Sequence, residues 1–347
     1  MKGKKFFPTM KQVLTIRDVK QLSKNSDFNV IGIASRLTRR LDRNDNPFWD
    51  VSITDAGGDL DGKVWSGTIW WNQQGGERFP IDPDNCGFKI EGMTLGVIGR
   101  VGDFKDQLQY TFTELFILDQ EKYPPENYTK RSPVKPEILE EHFKNLIAGI
   151  SYGPLKNFMD AVFFKHGLWE KYHIWPAAVT LHHAYTSGLL EHSVSVALGA
   201  LGMAKHYGDF KIPVNLDLIT AGALLHDIGK IKAYSNSPAP KVLAPGNIIE
   251  HVTLGYGMFQ KFAELENLEQ DLNFAISHII LSHHGRREYG SPVLPETPEA
   301  MIVSAADDID FKLSYWKMQF ESLSPDVEIT EFLPLIERRF WRGIPQK

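Results

Sequence analysis

Two stretches in the second half of the chain decide its fold: LEHSVSVA at residues 190–197 and LHDIGK at residues 225–230. Both have the apolar spacing of helices that pack into a core, and each brings a histidine to a core-facing position. In the second stretch an aspartate directly follows the histidine. Because buried imidazole and carboxylate groups cost free energy unless they have partners, this pattern indicates side chains that share a metal ion.

The clustering of histidines supports a metal site. Most of the twelve histidines lie between residues 182 and 284, and several interrupt segments that are otherwise apolar. A single histidine on an apolar helix is usually a packed core residue, but one shared metal site would satisfy several of them together. Candidates for the further ligands are His251, the pair His283-His284, and one of the carboxylates Asp307, Asp308 and Asp310.

The order of these residues resembles the HD phosphohydrolase superfamily, whose pattern is a histidine, then a His-Asp pair, then a final aspartate. The matching residues are His192, His226, Asp227 and Asp307. HD enzymes with two metals carry further histidines, and His251, His283 and His284 stand at those places. The resemblance therefore implies that these residues hold two divalent cations, with Asp307 ranked above its neighbouring aspartates.

The expected chemistry depends on Asp227. A carboxylate can bridge two cations through its two oxygens and hold them about 3.5–4 Å apart, which suits displacement at phosphorus. Bridged cations lower the pKa of a trapped water enough to give hydroxide near neutral pH, so no protein nucleophile is required. The ligands suit manganese, iron, cobalt or zinc. Lys230 is predicted to neutralise phosphoryl charge, although a solvated lysine at a helix end has the same spacing.

The composition is that of a folded protein of about two domains. The chain has 347 residues, of which 42% are hydrophobic and 23% charged. Its formal net charge of −5 argues against nucleic-acid binding by bulk charge but leaves room for a local basic groove. The single cysteine excludes an internal disulfide and a cysteine-rich zinc module. Because no apolar run has the length of a signal or membrane segment, we expect a cytoplasmic protein without a membrane partner.

The first third of the chain has the composition of β-strands. Segments rich in β-branched and aromatic residues, separated by turn formers, cover residues 28–36, 47–54, 61–71, 92–101 and 108–118. A hairpin is expected at Gly57-Gly58. About five strands with this spacing predict a small β-barrel of the OB-fold type.

An OB-fold barrel binds single-stranded nucleic acid by combining basic side chains with aromatic rings on which bases stack. Arg36, Arg39 and Arg40 are the predicted phosphate contacts, and Trp49 and Trp65 are the predicted stacking platforms. The alternative is that the aromatic residues fill the barrel and the arginines form a solvated loop.

A proline-rich segment then divides the chain, and after it the apolar period changes from 2 to about 3.6. We predict an α+β multidomain protein, in which an N-terminal OB-fold β-barrel precedes an all-α HD-superfamily domain. The predicted parts are the barrel at residues 1–125, a linker at 126–136, the HD domain at 137–320 and a C-terminal extension at 321–347.

Further motifs narrow the resemblance to one family. They are LHHAYTSGLLEH at residues 181–192, LSHHG at 281–285, YGSPV at 289–293 and PEA at 298–300. Together with the pairing of OB and HD domains, they resemble the YhaM family of 3′→5′ exoribonucleases over most of the chain. The resemblance implies a manganese-dependent enzyme that removes nucleoside 5′-monophosphates from the 3′ end of single-stranded RNA, with DNA as a further candidate substrate.

Several residues near the expected centre either depart from the family pattern or have candidate roles of their own. Ser187 stands where the family often has glycine, and Ser304 stands where a histidine commonly precedes the final aspartate region. His183, like His182, is predicted to hydrogen-bond the scissile phosphate or protonate the leaving oxygen, with packing at the helix start as the alternative. Arg286 is a predicted phosphate clamp or, equally, a solvated arginine.

Two other functions stay open from the sequence. A phosphohydrolase for a small or cyclic nucleotide would use the same metal centre, with the barrel in a regulatory role. A non-catalytic single-strand-binding factor would keep the HD domain as a scaffold, although such a domain is expected to have lost a ligand. The direction of degradation rests on the resemblance alone, and a homo-oligomer is compatible with the sequence.

Overall fold

The computed structural model describes residues 13–104, 107–180, 183–236 and 240–344. Within them the chain divides into two compact units, of which one ends at Arg131 and the other begins at Ser132. The first unit is a β-barrel and the second is helical, so the predicted α+β fold with an OB-type barrel before an all-α domain is confirmed. The finer boundaries at residues 125, 137 and 320 stay predictions.

The described part of the first unit contains a short helix and one seven-stranded sheet. The elements are α1 (Ile16–Lys20), β1 (Asp27–Leu41), β2 (Pro47–Asp55), β3 (Gly58–Val64), β4 (Ile69–Asn72), β5 (Phe79–Ile81), β6 (Thr94–Phe104) and β7 (Gln107–Ile117). The strand order is β3-β2-β1-β6-β7-β4-β5, and β3 also pairs with β7. This additional pairing closes β1, β2, β3, β6 and β7 into a barrel of the OB-fold type.

The barrel closes through a short parallel contact. Gly62 pairs with Tyr110 and Lys63 pairs with Thr111. A Cβ at position 62 would lie 2.3 Å from the ring of Phe112, so only glycine fits opposite this ring. Phe112 is fully buried in the barrel core. The barrel therefore closes here because Gly62 has no side chain, and the ring of Phe112 fills the space that a side chain on β3 would need.

The strand prediction was partly wrong between residues 61 and 71. β2 and β3 form the expected hairpin, with Asp55 opposite Gly58. Residues 61–71, however, contain the end of β3, a turn at Ser66 and Gly67, and the start of β4. β4 pairs in parallel with β7. Because apolar residues such as Trp65 and Ile69 flank the turn on both sides, the composition did not reveal the break.

The second unit consists of helices. They are α2 (Pro136–Ala148), α3 (Gly153–Asp160), α4 (Trp169–Tyr172), α5 (Gly188–Asp209), α6 (Leu216–Leu225), α7 (Lys230–Ala233), α8 (Ala244–Ile248), α9 (His251–Leu265), α10 (Gln270–Ser282) and α11 (Pro298–Ser322). α6 is almost entirely apolar and lies at the centre of the core, where it packs against α5, α10 and α11. None of the helices in the described residues combines the length and apolarity needed to cross a bilayer.

The segment after α11 folds back against that helix. The ring of Phe340 contacts Tyr315, and the indole nitrogen of Trp316 donates to the backbone oxygen of Trp341 at 2.9 Å. The guanidinium of Arg342 lies over the ring of Phe320, 4.6 Å from its centroid. The predicted extension is therefore packed onto the helical unit over its described residues.

Candidate metal centre

The candidate ligands converge because several helices begin or end at one place. They are His192 in α5, His226 and Asp227 directly after α6, His251 at the start of α9, His283 and His284 directly after α10, and Asp307 in α11. His192, His226, Asp227 and His283 are at most 1% exposed. The structure thus brings together all the metal ligands that the sequence predicted.

One part of the centre, the His192 half, consists of His192, His226 and Asp307 around one oxygen of Asp227. Nε2 of His192 lies 3.2 Å from Asp227 Oδ2 and 3.2 Å from Asp307 Oδ1. Nε2 of His226 lies 3.2 Å from the same oxygen of Asp227 and 3.1 Å from Nε2 of His192. Two imidazoles and two carboxylates therefore surround one position, as the ligands of a cation do.

The other part, the His251 half, consists of His251, His283 and His284 around the second oxygen of Asp227. Nε2 of His251 and Nε2 of His283 lie 3.4 Å and 3.6 Å from Asp227 Oδ1. The ligand atoms of the three histidines lie within 4.8 Å of one another. Asp227 therefore presents one oxygen to each half, which is the geometry of a carboxylate that bridges two cations.

Each imidazole is oriented by an acceptor at its Nδ1 atom. For His226, His283 and His284 the acceptors are the backbone oxygens of Ala223, Ile280 and Tyr289, at 2.7, 2.7 and 2.6 Å. For His192 and His251 they are the carboxylates of Asp310 and Glu250, at 2.8 and 2.9 Å. These partners assign the proton to Nδ1, which leaves the lone pair of Nε2 for a metal.

Three buried polar atoms in the His251 half support a metal at this place. Among the described residues, Asp227 Oδ1, His251 Nε2 and His283 Nε2 are buried and have no hydrogen-bond partner. An unpaired buried polar group costs about 1–3 kcal/mol. A divalent cation would pair all three atoms, so the residues fit the metal that an HD domain implies.

The electrostatics of the centre favour ionised carboxylates and a neutral His284. Burial acts to raise the pKa of Asp227, but the ammonium of Lys230, 2.5 Å from Oδ2, and His226 hold this pKa well below its usual range. Burial, together with the neighbouring His283 and His251, lowers the pKa of His284 to about 3. Asp227 and His284 in these protonation states bind a cation without first releasing a proton.

Asp310 has a role that the sequence did not reveal. In the sequence it is only an alternative to Asp307, which stands one helical turn earlier. Its Oδ2 lies 2.8 Å from Nδ1 of His192 and 3.0 Å from Nε2 of His183, and its Oδ1 accepts a hydrogen bond from Ser195 at 2.5 Å. Asp310 therefore orients His192 from the side opposite the metal position. The three-residue spacing from Asp307 was the one available signal.

The other predicted residues of the helical unit have contacts of their own. Lys230 is buried, and its ammonium contacts Asp227. His183 is 5% exposed, with Nδ1 2.8 Å from the hydroxyl of Tyr185 and Nε2 on Asp310. The exposed Arg286 lies over the ring of Tyr289. Their contacts with a phosphate stay predictions, and His182 lies outside the described residues.

The two departures from the family pattern also have a structural place. Ser187, directly before α5, has φ 66° and ψ 12°, a left-handed conformation that glycine adopts without strain. This explains why glycine suits the position. Ser304 is buried, and a Cβ at Gly285 would approach its hydroxyl within 2.7 Å. Ser304 therefore packs beneath the turn that follows His284.

On the barrel, the predicted arginines are exposed and paired. Arg36 contacts Asp61 at 3.0 Å, Arg39 contacts Asp84 at 2.9 Å, and Arg40 contacts Asp50 at 2.5 Å.

The two predicted stacking platforms differ in access. Trp65 is 42% exposed, whereas Trp49 packs against the barrel core. A groove of about 350 Å³ is lined in part by Arg36, Lys63 and Tyr110. Trp65 is therefore the more accessible of the two tryptophans, and its role in binding stays a prediction.

In comparisons with known proteins, this chain matches one domain family and is similar to two relatives. The HD domain family matches residues 189–312, which include every candidate ligand. The 3′-5′ exoribonuclease YhaM of Geobacillus sp. (strain WCH70) is 25% identical over 310 residues, 89% of this chain and 89% of the relative. The 3′-5′ exoribonuclease YhaM of Bacillus subtilis (strain 168) is 25% identical over 303 residues, 87% of this chain and 90% of the relative.

Among solved structures, an aspartyl tRNA synthetase from Entamoeba histolytica overlaps 73% of this chain and 55% of its own, at 10% identity and a TM-score of 0.19. This similarity is too low to bear on the fold.

Proposed function

The two relatives and the HD domain assign this chain to the YhaM family, and on that premise we propose that it is a metal-dependent exoribonuclease. Its substrate is single-stranded RNA, which it shortens from the 3′ end to nucleoside 5′-monophosphates. The observation that carries the proposal is the position of Asp227, whose two oxygens face two separate groups of candidate ligands. This geometry suits hydrolysis of a phosphodiester by two cations.

The residues of the chain have distinct parts in this proposal. When bound, two divalent cations, which we propose are manganese, supply an activated water and positive charge for the scissile phosphate. Asp227 bridges the two halves, and Lys230 keeps its carboxylate ionised. The exposed Arg286, two residues after His284, is the proposed contact with an RNA phosphate.

We further propose that the barrel holds the strand. Arg36 and Lys63 line one groove with Tyr110, so positive charge and an aromatic ring lie together, as in sites that bind single strands. Trp65 offers an additional exposed ring. The arginines must leave their aspartates to bind phosphate, which is feasible because exposed ion pairs contribute only about 0–1 kcal/mol.

A time course with labelled RNA tests the proposal. The purified protein is incubated with single-stranded RNA labelled at its 5′ end, with added manganese and separately with chelator. We expect a ladder of shortened products that requires the metal. The same RNA labelled at its 3′ end should release labelled mononucleotide before any shortened fragment. Intermediates of internal length from the 3′-labelled RNA would contradict the 3′→5′ direction.

The same experiment separates the alternatives. If RNA stays intact while a cyclic dinucleotide or nucleoside phosphate is consumed, the enzyme acts on small nucleotides. If nothing is cleaved but RNA stays bound, the helical unit is a scaffold and the proposed function is wrong. A single-stranded DNA of the same sequence, run in parallel, measures the preference between the two nucleic acids.

A further inference from the structure

We propose that Glu250 is a positioning residue that holds His251 for the cation of the His251 half. The proposal rests on the metal centre of the proposed function. Glu250 lies directly before α9, whose first residue is His251. Its backbone conformation, its hydrogen bonds and the packing of His251 all support the assignment.

The backbone of Glu250 is strained. Its φ is 72° and its ψ is 147°. Ser187, with φ 66° and ψ 12°, lies in the left-handed helical region that other residues visit, but a positive φ combined with an extended ψ is essentially restricted to glycine. Strain of this kind persists where the surrounding structure requires it, and here it adjoins a candidate metal ligand.

The carboxylate of Glu250 contacts two nitrogen atoms of His251. Its Oε2 lies 3.1 Å from the backbone nitrogen of His251 and 2.9 Å from Nδ1. The first bond satisfies a free N–H at the helix start, as any capping residue does. The contact at Nδ1 holds the imidazole, so that Nε2 faces Asp227 Oδ1 at 3.4 Å.

His251 needs a side-chain acceptor because of its place in its helix. His226 and His283 follow the ends of α6 and α10, and their Nδ1 atoms donate to carbonyls three residues earlier in those helices. His251 is the first residue of α9, so no helical carbonyl precedes it. Glu250 supplies Nδ1 of His251 with an acceptor, as backbone carbonyls of α6 and α10 do for His226 and His283.

Packing fixes the backbone of His251 as well. A Cβ at Gly229 would lie 1.9 Å from the backbone oxygen of His251, so this residue is pressed against the turn that carries Asp227. The chain enters α9 from this position with Glu250 at positive φ. A glycine at position 250 would adopt this conformation without strain, and therefore capping alone does not explain a glutamate there.

The test measures metal binding and stability separately in the full chain. Manganese is titrated into metal-free wild type, Glu250→Ala, Glu250→Gly and Glu250→Gln, with free Mn²⁺ followed by electron paramagnetic resonance. Melting temperatures are recorded with chelator present. Lys211→Gly is the matched control, because Lys211 also has a positive φ, 65°, but lies after α5 and contacts no ligand residue among the described contacts. Thr297→Ala is a second control that removes the cap of α11.

We expect wild type to bind two Mn²⁺ ions. Glu250→Ala and Glu250→Gly should each weaken one of the two sites by about 10–100-fold, the usual effect of losing a ligand's orienting partner. Glu250→Gln should retain most of the affinity, because its amide oxygen can accept from Nδ1. Without metal, Glu250→Gly should melt at a higher temperature than Glu250→Ala, because it relieves the strain. Both controls should bind Mn²⁺ as wild type does.

Two results would overturn the proposal. If both sites of Glu250→Ala and Glu250→Gly bind Mn²⁺ within twofold of wild type, the carboxylate does not position His251. If Glu250→Gly restores the affinity that Glu250→Ala loses, backbone strain and not the carboxylate governs the site. A wild type that binds no Mn²⁺ would instead contradict the metal centre itself, and with it the proposed function.

Discussion

The two units of this protein place their charged side chains in opposite environments. On the barrel, Arg36, Arg39 and Arg40 are each more than half exposed, and each has an aspartate within 3.0 Å. In the helical unit, Asp227 and the nearby His192, His226, His251 and His283 are buried. Three polar atoms of that group have no hydrogen-bond partner among the described residues.

The difference shows that the buried cluster around Asp227 lowers the stability of the fold, whereas the exposed ion pairs of the barrel have little effect on it. Exposed ion pairs contribute about 0–1 kcal/mol, so the barrel gains little stability from its pairs and loses little when a phosphate replaces an aspartate. Buried unpaired groups cost about 1–3 kcal/mol each. A fold keeps such groups where a bound metal or a reaction requires them, so the buried cluster identifies the centre more strongly than the exposed charges identify a binding surface.

The largest effect should come from removing the bridging carboxylate. Asp227→Ala should lower RNA hydrolysis by on the order of 10³-fold or more, because both halves of the centre lose a ligand. RNA binding, measured by fluorescence anisotropy, should persist. The matched control is Asp308→Ala, next to Asp307 but exposed and paired with Lys312. Hydrolysis retained in the Asp227 variant would show that burial does not mark the catalytic carboxylate.

A smaller effect is expected at Asp310, which contacts His192 and not the metal position. Asp310→Ala should weaken metal binding by about 10–100-fold, because it removes the acceptor that fixes the proton on Nδ1 of His192. Mn²⁺ titration of the metal-free protein measures this loss. An unchanged affinity would mean that Asp310 does not position His192 for the metal.

A modest effect is expected on the barrel. Replacing Arg36, Arg39 and Arg40 together by alanine should weaken RNA binding and reduce the slope of log affinity against log salt by about 2, since each lost phosphate contact contributes about 0.7 for single strands. The free energy of unfolding should change by no more than about 1 kcal/mol. A salt slope equal to that of wild type would remove these arginines from the binding surface.

The smallest effect concerns Asp217, a partly exposed carboxylate of the helical unit. Its oxygens accept from the backbone nitrogens of Ser151 and Tyr152 at 3.1 and 2.8 Å. Burial acts to raise the pKa of Asp217, but these bonds hold it below its usual value. Asp217→Asn should therefore lower the free energy of unfolding at pH 7 by about 0.5 kcal/mol, after allowance for solvent screening.

The pH dependence of this difference follows from the sign of the shift. Because the pKa of Asp217 is lowered in the folded state, its contribution is complete above the usual aspartate pKa and disappears as the pH falls through the lower folded value. Urea unfolding of both proteins at several pH values between 3 and 7 measures the difference. A difference that grows on acidification would contradict the assignment.

The sequence identified the candidate ligands of the centre better than the residues that contact those ligands. His192, His226, Asp227 and Asp307 stand in a recognisable order, and the resemblance to the YhaM family was confirmed by the relatives. The two orienting carboxylates were missed for different reasons. Asp310 resembled a competing ligand, whereas the role of Glu250 depends on a backbone angle that composition and spacing do not show.

Prediction of the barrel from the sequence was limited in a similar way. Alternation of apolar residues predicted its class, but one segment was assigned as a single strand because apolar residues flank the turn at Ser66 and Gly67. The exposed arginines were visible in the sequence, but their aspartate partners come from other strands or loops. Pairings of this kind depend on register, which the sequence alone does not fix.

The distribution of ligands along the chain also determines when the centre can form during synthesis. Chains leave the ribosome from the amino terminus, and domains generally fold in that order. The barrel is complete at Arg131, but the ligand set extends to Asp307 in α11. A nascent chain can therefore fold its barrel long before it can hold the full metal centre. A translation product that ends before Asp307 has no complete centre with which to hydrolyse the RNA that encodes it.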